Sequence, residues 1–142
     1  MLKEFLFGGT EGSSASANIG EAALRIFAGL AMAFGHGIGK VPPSEGFVEG
    51  VTALGFPQPQ LFAWAAGLSE FAGGILLAIG LATRFSALTI FGTMVVAAFL
   101  RHANDPFGDK EMALLYLAIS FFFMVRGSGD LSVDALVRGK KR

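Results

Sequence analysis

The sequence predicts an all-α protein, a four-transmembrane-helix bundle with a short amphipathic helix in its first outer loop and both termini in the cytoplasm. Three observations lead there. Of 142 residues, 53% are hydrophobic and only 15% charged, against about 25% charged in soluble domains, and mean hydropathy is +0.60. Four stretches, at about 19–38, 60–83, 85–100 and 112–125, are apolar enough to cross a bilayer. Such a crossing takes roughly 20 residues at about 1.5 Å each, so the last two extend into their polar flanks. Alternation of period two is absent, whereas a barrel would need many strands of that kind. The alternative, a soluble helical bundle, would require wide polar faces on its helices.

Residues 1–18 read as a flexible N-terminal segment. The apolar run in "LKEFLF" is too short for a cleavable signal, and the Gly/Ser/Thr stretch after it resembles a linker. Residues 19–137 form the membrane domain and 138–142 a basic tail. With four spans, Lys3, Arg84, Arg126, Arg138, Lys140, Lys141 and Arg142 share one side, Lys40, Arg101 and Lys110 the other, and Arg25 lies within the first span. The excess of basic residues marks the cytoplasmic side of a multi-pass membrane protein whose two longer connections face outward. The first of these, "GKVPPSEGFVEGVTALGFPQPQ", contains four of the five prolines. Between them Phe47, Val48, Val51 and Leu54 recur at helical spacing behind Ser44, a good N-cap. This short helix either lies over the mouth of the bundle or rests at headgroup level.

Eleven basic and eleven acidic side chains balance, so no nucleic-acid surface is indicated. Without cysteine the chain has no thiol chemistry, iron–sulfur cluster or Cys-type metal site of its own. Any redox chemistry belongs to something bound.

In the first span Glu21, Arg25, Gly29, Met32, His36 and Lys40 follow one another at three- or four-residue steps, which keeps them on one face of a regular helix. Glu21 and Arg25 can pair locally, and His36 can bond a loop carbonyl. Glu70 is the most informative charge. It lies mid-span, where an acidic group costs roughly 3 kcal/mol, so it should face the bundle and have a partner, which the sequence suggests is Arg25. Gly73 and Gly74 on its face allow close helix approach. Glu70 then serves either as structural glue or as a proton-accepting or ligand-binding group. Ser86, Thr89 and Thr93 in the third span suit helix packing. At the outer level Arg101, His102 and Glu111 join His36 and Lys40, a cluster able to bind an anion, polarise a quinone carbonyl or exchange protons with it. Two histidines are weak grounds for a metal or haem, and no metal site is assigned.

"HGIGK", "SEFAGGILLAIGLATR", "FLRH", "KEMALLYLAI" and "GSGDLSVDAL", in this order over residues 20–137, resemble the DoxX family of small four-helix bacterial membrane proteins, named for subunits of a thiosulfate:quinone oxidoreductase. The resemblance implies a place in the bacterial inner (plasma) membrane and recurring polar positions at Arg25, His36, Lys40, Glu70, Arg84, His102, Glu111 and Asp134. Ser128 departs from it, standing where a proline often occupies a Gly-Pro-Gly turn. The chain lacks a dinucleotide fingerprint and a nucleophile triad, so catalysis by this subunit alone is not expected. One reading is a component of a quinone-linked oxidoreductase or oxidative-stress system, binding a small redox-active or anionic ligand in a polar outer pocket while a redox partner protein carries the electron-transfer cofactor. The alternative is a non-enzymatic scaffold or anchor for such a partner. A small-molecule or proton pathway along the first span would require association of protomers, and the Gly35/Gly39 spacing permits a homo-oligomer.

Overall fold

The computed structural model describes residues 14–139. Positions 1–13 and 140–142 lie outside the described residues, and with them most of the expected N-terminal segment and basic tail. Helix α1 spans Ala15–Lys40, α2 Glu45–Ala53, α3 Pro59–Ile79, α4 Thr83–Arg101, α5 Phe107–Arg126 and α6 Val133–Arg138. No strand occurs among the described residues. Of these helices, α1, α3 and α4 are long and apolar enough to cross a membrane. α5 has 20 residues, but Asp109, Lys110 and Glu111 occupy its opening turns.

Local chemistry sets the boundaries. Ser14 Oγ accepts from Ala17 N (3.2 Å) at the start of α1, four residues before the apolar stretch begins. Ser44 Oγ accepts from Phe47 N (3.3 Å) to open α2, the amphipathic helix expected in the first connection. Pro59 occupies the first turn of α3, and Gly80 ends that helix at φ 70°, a left-handed conformation natural to glycine. α1 is not uniform. Residues Ala31–Gly37 wind as a π-helix and Ile38–Lys40 as a 3₁₀ turn, and α4 also closes with a π segment, Ala97–Arg101.

The four long helices alternate in direction. α1 and α3 meet backbone to backbone: a Cβ on Gly29 would stand 2.5 Å from Ala78 N and Gly74 O, and one on Gly67 2.5 Å from Lys40 O. Gly37 is likewise closed by Phe71. Small residues make this approach possible where no hydrophobic effect drives helices together. α3 meets α4 through Gly73 against Thr89, where an added Cβ would be 3.3 Å away. Met32, Leu77, Ile90, Met94 and Phe123 fill the centre. The outside is apolar, with Phe27, Phe34, Leu61, Phe99 and Phe121 exposed, as suits a surface that meets hydrocarbon.

One end of the bundle is locked by buried polar groups. Arg25, 1% exposed, donates to Leu77 O (3.0 Å), Ala78 O (2.6 Å) and Leu131 O (2.6 Å). Asp134, wholly buried, accepts from Ala82 N (2.7 Å), Thr83 N (3.0 Å) and Thr83 Oγ1 (2.7 Å), capping α4 from a distant part of the chain. Arg126 pairs with Glu21 at 3.0 Å, and Arg84 Nη2 donates to Val125 O at 3.2 Å. The local Glu21–Arg25 pair expected from their spacing is therefore not made. Arg25 turns instead to the carbonyls at the end of α3, and Glu21 reaches across to α5.

The α1–α3 contact yields a direct test. Gly74→Val, whose side chain would meet Gly29 O and the Ala33 backbone, is expected to cost about 2 kcal/mol or more, read as a lowered melting temperature in detergent. Gly35→Ala, with nothing within 4 Å of the added carbon, should leave it unchanged.

Candidate functional site

Glu70 sits in α3 between Gly67 and Gly74, where the backbones of α1 and α3 exclude other atoms, and only 1% of it is exposed. A carboxylate so placed must be paired and hydrogen-bonded. Lys40 supplies both needs, its Nζ lying 2.7 Å from Oε1 and 2.5 Å from Oε2. The lysine also lies 5.6 Å from the centre of the Phe47 ring, which adds a cation–π contact from α2. Its side chain keeps 32% exposure, so the ammonium bridges a dry carboxylate and the more exposed end of the bundle.

This revises the expected Glu70–Arg25 pairing. In the antiparallel packing Arg25 lies level with Leu77 and Ala78, about 10 Å along α3 from Glu70, and its side chain is consumed by carbonyls there. Lys40 takes its place, and the π segment of α1 explains why His36 does not. Bonding i to i+5 turns the chain less per residue than an α-helix does, so the face that begins at Arg25 and Met32 does not continue to His36. His36 swings outward, exposed, and packs edge-on against Tyr116 with ring centres 5.4 Å apart. Gly37 takes the inward position, and Lys40 turns to Glu70.

Beside this pair lies a groove of about 890 Å³. α3 and α4 form its walls, and α2 lies over one end through Phe47, Val51 and Leu54. Most of its length is apolar or small, including Ala72, Leu76, Phe85, Leu88 and Gly92. The hydroxyls of Ser69 and Thr93, two of its lining residues, bond each other at 3.1 Å. Its covered end holds Lys40, Glu70, Arg101 and His102. The structure thus gathers four of the proposed ligand-binding or proton-handling residues around one cavity. It leaves out three: Arg25 is at the opposite end of the bundle, His36 is on the α1–α5 side, and Glu111 is exposed at the start of α5.

The sequence reading missed Asp105. Its Oδ2 lies 2.7 Å from His102 Nδ1, within the turn closed by Asp105 N donating to His102 O at 3.2 Å. The signal was a carboxylate three residues after a histidine in a turn, a spacing that lets the two side chains meet. Among the described residues no group of three or more His, Asp or Glu side chains could hold a metal ion. A cavity of this size falls within the usual range for small-molecule sites, about 300–1,000 Å³. Its chemistry is that of an amphiphile site, with an apolar trough for a tail and an ion pair, a guanidinium and an imidazole for a head.

The DoxX family model matches residues 20–103, which include every residue at the polar end of the groove. The protein named "Putative oxidoreductase CatD" of Bacillus subtilis (strain 168) is 32% identical over 128 residues, covering 89% of this chain and 93% of its own. "Inner membrane protein YqjF" of Escherichia coli (strain K12) is 33% identical over 108 residues, covering 73% and 82%. No solved structure matches.

Breaking a buried ion pair strands one charge, whereas removing both need not. Lys40→Met and Glu70→Met are therefore each expected to destabilise the protein by about 2–3 kcal/mol. The double variant should recover at least half of that loss, as measured by thermal melting in detergent.

Proposed function

Because the chain belongs to the DoxX family, we propose that it is an integral membrane component of a quinone-linked oxidoreductase system, binding a quinone by its head at the Lys40–Glu70–His102 end of the groove and by its tail between α3 and α4. The observation that carries this reading is the shape and chemistry of the groove, apolar along its length and polar under α2. A quinone divides in the same way. The fit is also one of charge, because Lys40 neutralises Glu70 and a neutral head can approach without stranding a carboxylate. When bound, the quinone would supply two-electron redox chemistry. The chain's own residues would bind and orient the head, and α2 would shield it from water. Electrons would pass to a partner protein, since a chain without cysteine offers no thiol or iron–sulfur relay.

The reading includes a topology. The four long helices cross the bacterial inner membrane, with α5 as the fourth span and Asp109, Lys110 and Glu111 at the outer interface. Both termini are cytoplasmic, on the side that carries the larger share of Lys and Arg. The name of the Escherichia coli relative, an inner membrane protein, agrees with this location. The locked end built on Arg25 and Asp134 is then cytoplasmic, and the groove's polar end faces outward.

Gly92 provides a test that leaves the fold intact, because it lines the groove and nothing lies within 4 Å of a carbon added there. A short-chain ubiquinone analogue titrated into the purified protein in lipid nanodiscs should bind saturably. Gly92→Phe, which fills the trough, should weaken binding at least about tenfold with the melting temperature unchanged. Absence of saturable binding to the wild type would overturn the quinone reading, and copurification of a soluble redox protein would then favour a scaffold in its place.

A further inference from the structure

At the covered end of the groove the polar groups other than Arg101 are largely engaged. Both Glu70 oxygens accept from Lys40, the Ser69 and Thr93 hydroxyls bond each other, and Thr93 Oγ1 also lies 3.0 Å from Thr89 O. His102 differs. It lines the groove, one ring nitrogen is held by Asp105, and Nε2 has no hydrogen-bond partner among the described residues.

Asp105 determines what that second nitrogen can do. A carboxylate accepts and does not donate, so the nitrogen facing it, Nδ1, carries the hydrogen. In the neutral ring Nε2 is then a lone-pair acceptor, its tautomer fixed by the bond on the other side. The pair is also held in place by the backbone, since the Asp105 N to His102 O bond closes the same turn. A groove otherwise furnished at this end with the cations of Lys40 and Arg101 thus gains one fixed hydrogen-bond acceptor.

We infer that His102, positioned by Asp105, is the acceptor for a hydroxyl on the bound head group, so that the groove prefers the reduced, hydroxyl-bearing form of its ligand over forms without a hydroxyl. This rests on the quinone reading and deepens it. His102 touches the ligand, and Asp105 acts through it as a positioning residue. The step is recognition alone: an O–H of the quinol donates to Nε2, and no bond forms or breaks.

The test compares three probes on the full-length protein in nanodiscs under anaerobic conditions: a short-chain ubiquinol, the matching quinone and the quinol's dimethyl ether. The wild type should bind the quinol roughly five- to tenfold more tightly than the ether, the value of one net hydrogen bond, and more tightly than the quinone. His102→Ala and Asp105→Ala should each reduce that preference to about twofold or less, with little change in affinity for the ether. His102→Gln, whose amide oxygen accepts without help from Asp105, should retain the preference, and adding Asp105→Ala to it should change nothing. Equal binding of all three probes by the wild type would overturn this inference alone and leave the pair as a staple of the outer turn. A preference that survives Asp105→Ala would overturn the positioning role. Failure of every probe to bind would overturn the quinone reading and this one with it.

Discussion

A carboxylate deep in an apolar bundle is tolerable only if an opposite charge is brought to it, and most of this architecture can be understood as the means of bringing Lys40 to Glu70. The lysine belongs to the C-terminal end of α1, and the change of winding before it takes His36 off the face toward α3 while Gly37 and Lys40 occupy it. The π segment at Ala31–Gly37 resets the phase of the last turns. Gly37 and Gly67 then remove the side chains that would hold the two backbones apart. The short reach that results closes the ion pair with two oxygens of one carboxylate. α2 completes the arrangement, its Phe47 ring against the ammonium and its apolar side over the groove.

The two ends of the bundle use charge differently. At the end built on Arg25 and Asp134, buried charges are satisfied mainly by backbone groups, carbonyls for the guanidinium and amides for the carboxylate. Such contacts fix loops and helix starts, although Arg25 Nε and Glu21 Oε1 stay buried without a hydrogen-bond partner among the described residues. At the other end Lys40 and Glu70 satisfy each other side chain to side chain, next to open space, while Arg101 and an imidazole nitrogen of His102 have no partner among the described residues. On the proposed function, stability and recognition would be separated along the length of the molecule.

Much of this was legible in the residues. Long apolar stretches fixed the helices, Ser44 and the periodicity of Phe47, Val51 and Leu54 marked α2, and the mid-span position of Glu70 required an inward-facing, paired carboxylate. What failed was the identity of the partner. Uniform helical spacing placed Arg25, His36 and Lys40 on one stripe, because a change of winding leaves no trace in apolar periodicity. Sequence distance also cannot give the axial level at which antiparallel helices meet, and that level assigns Arg25 to Leu77 and Ala78 rather than to Glu70. Glu111 shares the connection that follows His102 in the sequence, but it is exposed in the opening turns of α5 and does not line the groove. Asp134, suggested only by family resemblance, acts through contacts with α4 some fifty positions earlier in the chain, which no local pattern encodes.

The groove is roofed but not walled. Phe62, Ala65, Leu68, Ala72, Leu88 and Gly92 line it and are exposed, so its long side is open between α3 and α4, in the direction where acyl chains would lie. An occupant would slide in sideways from the surrounding hydrocarbon and would never need to pass through water. Its supply would be set by its mole fraction among the lipids, and detergent tails or phospholipid chains would contend for the same trough.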